Sequence, residues 1–537
     1  MKANVSILDC TLRDGGYQND WAFGRNTLTA VFERAVAAGV EFLELGFLDQ
    51  RRPFDPDRSI MPDTASMRRI YGRLDRKGTK LVGMIDFGTC DLDHVEPCAE
   101  SFLDGIRVIF KKHLRKPALE FCRALKEKGY LVFAQLVSIT SYSDDELLDL
   151  IRLVNDVKPY AVSIVDTYGL LHKANLFHFY EMLDRHVDPS VTIGYHSHNN
   201  FQLAYANSIE LINRHAASAR PLLCDGSLFG MGKGAGNAPT ELLCTYLNSN
   251  YVKDYQVSQL LEAIDSNILD LYGKYHWGYS LKAFLAASND CHPNYVSYLA
   301  DKKTLSIKSV NEILQSLQGE KKLLYDKSYI EDLYVDYQSK SCNDDDDYCS
   351  LADLLCGRDL LVLGPGKTLT SEVEKIAAYI DAVHPFVISI NNLPEAFPVD
   401  ALFLTNSKRY NQQVTAITAS ANRIKLIATS NLTRTCGKFD FTFDYESLID
   451  RDAVFMDNSL LMLLKLLTKV RPAKVALAGF DGYTEDGDNY YTSKLEYDFV
   501  RRLGSEINAQ VNKALPEMRK SLDFEFLTST VYKKAIP

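Results

Sequence analysis

Short apolar runs recur along the first 230 residues, each followed by a longer stretch in which apolar positions return with a helical period. The runs fall at 5–8, 42–45, 80–85, 105–109, 131–136, 161–165, 192–195 and 221–224. Between them lie helix-like stretches such as 26–38, 117–128, 144–157, 176–186 and 203–214. Short runs rich in Val, Ile and Leu read as strands, and the longer amphipathic stretches as helices. Eight strand–helix units without a break fit a closed (β/α)8 TIM barrel better than an open sheet. Strands covered on both faces are apolar throughout, which these runs match.

Beyond this barrel domain, placed at 1–250, the pattern over 251–338 is helical and Tyr-rich and predicts a helical cap. Residues 339–350, SKSCNDDDDYCS, carry four consecutive aspartates. Such charges repel one another and read as a solvated acidic linker. A second α/β rhythm fills 351–537, with apolar runs at 360–363, 386–390, 401–405, 425–428 and 474–478. Five or so strands without a second full round predict an open, doubly wound, Rossmann-like sheet whose role is unassigned. The whole chain is therefore expected to be α/β.

At 537 residues, the length agrees with several domains, and 46% hydrophobic against 24% charged residues is the balance of a soluble globular protein. A net charge of −10 argues against coating nucleic acid or an anionic membrane, both of which require a positive surface. No apolar run is long enough for a transmembrane helix, and the N-terminus lacks the apolar core of a signal peptide. Eleven dispersed cysteines with no CxxC pair read as buried thiols in a reducing compartment. We expect a cytoplasmic homo-oligomer with no nucleic-acid or membrane partner.

Polar residues gather just after the strands: Asp9–Asp14, Glu44, Asp86, Asp166, His196–Asn200 and Asp225–Gly236. In a barrel these strand ends form one rim, where catalytic groups converge. His196 and His198, two residues apart on an extended segment, project to the same side, and Asp14 from the first strand end can meet them. A carboxylate with two imidazoles and open positions suits a catalytic divalent metal. The segment Gly230–Pro239, GMGKGAGNAP, permits close backbone approach to a ligand, and Asn237 offers a carbonyl oxygen to the same ion. It is not a Walker loop.

Together LDCTLRDGG at 8–16, HSHNN at 196–200 and GKGAGNAPTE at 232–241 resemble the metal-dependent aldolase and acyl-transferring lyase superfamily. The wording is most similar to 4-hydroxy-2-oxovalerate aldolase, and the resemblance covers roughly residues 1–290. It implies that Asp14, His196 and His198, with Asn237, hold Mn2+ or Mg2+, although two imidazoles also accept Zn2+. It also implies a 2-oxo acid and an aldehyde as the small-molecule partners, cleaved or joined through a pyruvate-type enolate beside the metal. Arg13 would stabilise the enolate oxygen, with Glu44, Asp166 and Gly234 contacting substrate.

Where the aldolases carry a histidine base, this chain has Tyr17, a poor base at its ordinary pKa. Tyr17 with a lowered pKa, His276, or a different substrate would each account for the change. Tyr279 falls where the aldolases have a proton-handling tyrosine. Gln18 resembles, offset by one position, an arrangement of the CoA-thioester lyases and synthases, which form the alternative class. In the second domain Gly364, Gly366, Lys367 and Thr368 form a strand–turn–helix entry that suits phosphate. With GFDG at 479–482 it weakly resembles Rossmann-type sialyltransferase-like and pterin pyrophosphokinase-like domains. That implies a nucleotide or nucleotide-sugar ligand and a bifunctional protein of a polysaccharide pathway. A barrel that serves only as a scaffold is the remaining alternative.

Overall fold

The computed structural model describes residues 4–302, 305–339, 342–420, 423–432, 439–485, 488–492, 495 and 502–532. The chain divides into two compact units, Met1–Pro293 and Asn294–Pro537.

In the first unit a closed parallel barrel is formed by β1 (Val5–Asp9), β2 (Phe42–Leu48), β4 (Lys80–Asp86), β5 (Gly105–Phe110), β6 (Leu131–Leu136), β7 (Ala161–Asp166), β8 (Thr192–Ser197) and β9 (Leu222–Gly226). A two-residue strand, β3 (Ile60–Met61), pairs with the end of β2. Closure is explicit in the register, because β1 pairs with β2 through Leu8↔Phe42 and with β9 through Val5↔Leu222. This is the TIM-barrel architecture that the apolar rhythm predicts. The strands run further than the apolar runs do, so His196 lies inside β8 rather than after it.

Side chains at alternate strand positions point into the barrel. Near the N-terminal ends they are apolar: Phe42, Val82, Phe133, Ala161 and Leu223 cluster with Leu8 and Cys10. Two residues along, the same sides of β2, β6, β7 and β9 carry Glu44, Gln135, Ser163 and Asp225, and β5 contributes Arg107. None of these five is more than 2% exposed. The strands are thus not apolar throughout: the inside of the barrel changes from apolar to charged toward the end that bears the site.

The surrounding helices bury one face each on this sheet, and their ends are set by local chemistry. Asp144–Val157, for example, begins at Ser143, which forms a reciprocal capping box with Glu146. Arg25–Ala38 stops at Gly39, whose left-handed φ of 83° suits glycine. The stretch expected as a cap is divided. Val257–Ala263 and Leu269–Tyr275, joined by the π turn Ile264–Ile268, place Leu260, Ala263, Ile264, Ile268 and Leu271 in the main core of the barrel unit. Ile307–Gln315 and Lys327–Gln338 belong to the second unit.

That second unit is built on seven parallel strands: β10 (Asp359–Leu363), β11 (Phe386–Ile390), β12 (Ala401–Leu404), β13 (Lys425–Thr429), β14 (Phe441–Phe443), β15 (Lys474–Ala478) and β16 (Phe524–Phe526). Their spatial order is β14-β13-β12-β11-β10-β15-β16. The chain winds outward from β10 to β14 and then returns to lay β15 on the other side of β10. The aspartates expected in a solvated linker instead open the helix Asp345–Leu355, where negative charge complements the helix dipole. Asp344 and Asp347 also accept hydrogen bonds from the amides of Asp444 and Thr442, both at 2.9 Å. Among the described residues no helix is long and apolar enough to cross a membrane.

Candidate active site

Directly after β1 the chain makes a single helical turn, Thr11–Asp14, which turns Arg13 and Asp14 back over the barrel mouth. The turn is pinned at its start: the Thr11 amide donates to Asp9 Oδ1 at 3.0 Å, and the Thr11 hydroxyl accepts from the Leu228 amide at 2.7 Å. Asp14 meets both histidines of β8 and its continuation. Its Oδ1 lies 4.0 Å from His196 Nε2, and its Oδ2 lies 3.5 Å from His198 Nε2. One ligand atom from each of the three residues falls within 4.8 Å of the others, and all three are buried.

Both imidazoles are oriented by their far nitrogen. His196 Nδ1 is 2.9 Å from Asp225 Oδ2, and His198 Nδ1 is 3.0 Å from the Asp166 carbonyl. Each partner only accepts, so Nδ1 carries the proton and Nε2 presents a lone pair toward Asp14. Asn237 donates from Nδ2 to Asp14 Oδ2 at 2.7 Å. The buried His198 Nε2 and Asn237 Oδ1 have no hydrogen-bond partner among the described residues. Buried acceptors are rarely left so. A carboxylate oxygen and two imidazole nitrogens converging on one point, with an unpartnered amide oxygen on the neighbouring Asn237, fit a divalent cation. Glycine is required beside them, because a Cβ at Gly232 would stand 2.3 Å from Asn237 Nδ2 and 2.6 Å from Asp14 Oδ2.

The charges around this point form one chain. Arg13 Nε donates to Glu44 Oε2 at 2.8 Å and its Nη1 to Asp14, leaving Nη2 with no partner among the described residues. Arg107 donates to the same Glu44 oxygen at 3.0 Å, to Gln135 Oε1 at 3.0 Å and to Asp225. Burial alone would push the Asp14 carboxyl up, but Arg13 and the two imidazoles hold it well below the usual carboxylate range. Burial lowers His196 below the ordinary imidazole value against the pull of Asp225, which favours the neutral, ligating form.

The structure gathers Arg13, Asp14, His196, His198, Asn237 and Glu44 as the sequence suggests, with Tyr17 and Gly234 at the rim. Tyr17 packs edge-on against Trp21 and Phe47 and lies under the Lys233 ammonium, 5.5 Å from its ring centre. Burial pushes its phenol up, outweighing Arg13, although the residue as a whole is 40% exposed, so the site does not lower it toward a base. The Asp166 carboxylate is taken up by the amides of Leu170 and Leu171, at 2.7 and 3.0 Å, and shapes the turn that leads into His172. Tyr279 is 63% exposed, and no described hydrogen bond or ring contact joins it to the site. His276 is exposed and stacks at a tilt on Tyr272.

Sequence reasoning missed Arg107, Asp225 as the partner of His196, and Lys233 over the Tyr17 ring. The signal for Arg107 was present: a lone charge inside the apolar run GIRVIF has to be paired when both strand faces are covered.

In the second unit the expected phosphate site is closed by the chain itself. The helix following Gly364, Gly366 and Lys367 is only Thr368–Ser371. The Thr368 amide donates to Asp481 Oδ2 at 2.9 Å and its hydroxyl donates to Oδ1, so a carboxylate already stands where an anion would bind.

Fold and site together place a candidate divalent-metal cluster, Asp14, His196 and His198, at the mouth of a (β/α)8 barrel. Residues 4–266, within the barrel unit, match the model of the HMGL-like family. Curated relatives include an oxaloacetate decarboxylase of Mycobacterium tuberculosis, 26% identical over 49% of this chain and 76% of its own length. A 4-hydroxy-2-oxovalerate aldolase of Salinispora arenicola is 24% identical over 50% of this chain and 74% of its own. Among solved structures, hydroxymethylglutaryl-CoA lyase from Pseudomonas aeruginosa aligns at 18% identity and a TM-score of 0.42, covering 53% of this chain and 98% of that one.

Proposed function

We propose that the barrel is a metal-dependent aldolase that cleaves or forms 4-hydroxy-2-oxo acids through a pyruvate-type enolate. The observation that carries this reading is the pairing of the Asp14–His196–His198 cluster with a guanidinium, Arg13, whose Nη2 has no hydrogen-bond partner among the described residues. Two oxygen donors in the set favour Mn2+ or Mg2+ over Zn2+. A divalent ion held by Asp14, His196 and His198 would supply positive charge beside the 2-oxo group of the substrate. Arg13 donates to the oxygen of that group from Nη2, and Glu44, fixed by Arg107, holds the guanidinium in that pose. Lys233, whose ammonium is lowered by burial and lies over Tyr17 and Tyr168, faces the substrate carboxylate.

A second reading is favoured by Tyr17. Cleavage of a 4-hydroxy acid requires a base for the hydroxyl proton, whereas loss of CO2 from a 2-oxo diacid forms the same enolate without one. The oxaloacetate decarboxylase relative has this chemistry in its name. The test is pyruvate release from a panel of 4-hydroxy-2-oxo acids and oxaloacetate, with Mn2+ and with EDTA. Metal-dependent release from the hydroxy acids supports the aldolase, release from oxaloacetate alone supports the decarboxylase, and release from neither overturns both.

Tyr17→Phe is expected to leave the acid limb of the pH–rate profile where it is and to change kcat by less than about tenfold. A shifted limb would return Tyr17 to the role of base.

A further inference from the structure

The winding direction of the second unit reverses between β10 and β15. Open parallel sheets leave a crevice at such a point, because the connections diverge to opposite faces beyond the strand ends. A cleft lies there, lined by residues that follow β10, β11, β12 and β15.

Two long helices begin at this cleft, Ser407–Ser420 and Ser459–Val470. The residues that precede them, Asn406 and Asn458, line the cleft and are only 6% exposed. Each uses Oδ1 to cap its helix: Asn406 accepts from the Arg409 amide at 2.9 Å, and Asn458 from the Leu461 amide at 3.2 Å. Their Nδ2 groups, the remaining polar atoms, have no hydrogen-bond partner among the described residues. Neither is fully enclosed, so an acceptor on a ligand in the cleft can reach them. The partial positive charge of two helix N-termini adds to these donors.

The charged groups on the wall, Arg409, Asp457 and Asp481, are engaged within the protein. The Arg409 guanidinium, 5% exposed, donates to Gln412 at 3.1 Å and to the Leu495 carbonyl, and so contributes positive charge from a fixed position. Asp457 accepts from the hydroxyls of Tyr334 and Tyr445, at 3.1 and 3.2 Å, in the field of Lys302. Asp481 is engaged by Thr368. The rest of the lining includes Phe455, Tyr490 and Tyr532, a surface on which a flat ring can lie.

We propose that this cleft binds a small organic anion. A phosphate or carboxylate head sits against Asn406 Nδ2, Asn458 Nδ2 and the two helix N-termini, and a ring rests on the aromatic wall. The site is separate from the barrel chemistry and does not depend on it.

The full chain is titrated calorimetrically with AMP and UMP, with 4-hydroxybenzoate, and with adenosine as the uncharged control. Asn406→Asp and Asn458→Asp keep an oxygen for each helix cap while replacing the inward donor with negative charge. Each is expected to weaken binding about 30-fold or more, with no loss of melting temperature and no change in the metal content of the barrel. Binding of the nucleotides identifies a phosphate head and binding of 4-hydroxybenzoate a carboxylate head, and either supports the proposal. Failure of every charged probe at about 5 mM overturns it. So does adenosine binding as tightly as AMP, or undiminished binding in both variants.

Discussion

Asp14→Ala is expected to strip the barrel of its metal and to lower kcat/KM by at least about 10⁴-fold, because the ion's charge on the enolate oxygen goes with it. Asp14 is the only carboxylate among the three clustered ligands and is 1% exposed, while the neighbouring Glu44 and Asp225 are held by Arg107. Its loss also leaves Arg13 with Glu44 alone and opens the gap that Asn237 Nδ2 and the Lys233 amide now fill by donating to Oδ2. Elemental analysis after dialysis, with a melting curve to confirm folding, separates loss of metal from loss of structure. Stoichiometric Mn2+ and full turnover in the folded variant would remove the cluster from the mechanism.

Arg13→Ala should behave differently, and the contrast is the more informative result. Removing one donor aimed at a developing oxyanion lowers kcat by about 10²–10³-fold in comparable sites. The metal should stay, because Asp14 keeps its contacts with both imidazoles and Asn237, and Glu44 keeps Arg107. Arg13→Lys restores the charge but not the fork that reaches Glu44 and Asp14 together, so only partial recovery is expected. If metal and activity fell in parallel, Arg13 would be a counter-ion that keeps Asp14 in place rather than a donor to substrate.

The barrel and the Asp14–His196–His198 grouping were readable because each depends on signals at the strand ends. Eight apolar runs announce the strands, and the rim residues follow them within a few positions, so closing the barrel in thought brings Asp14 to His196 and His198. The charged layer beneath was hidden for a geometric reason. Whether Glu44, Arg107, Gln135 and Asp225 face inward depends on strand register, and a one-residue slip sends them to the other side. Asp225 was noticed only as a strand end, although it orients His196. In the second unit, Asp481 closes the Thr368 turn from 113 residues away. Likewise, Asn406 and Asn458 look like ordinary helix caps until the crossover brings their helices to one crevice. Such pairings belong to the topology and leave no mark on either local stretch.

The charged layer inside the barrel has a consequence for how this protein can change. Glu44, Arg107 and Asp225 are tied so that removing any one strands a charge in a dry interior, whereas exchanging all three for well-packed apolar residues can stabilise a fold by about 1–4 kcal/mol. Selection for heat resistance alone would therefore drift toward an oily barrel and lose the hold on His196 and Arg13. That the layer is charged means the molecule sits away from its stability optimum. Its members can be expected to alter in concert or not at all, and a laboratory search for tougher variants would have to screen for turnover at every round.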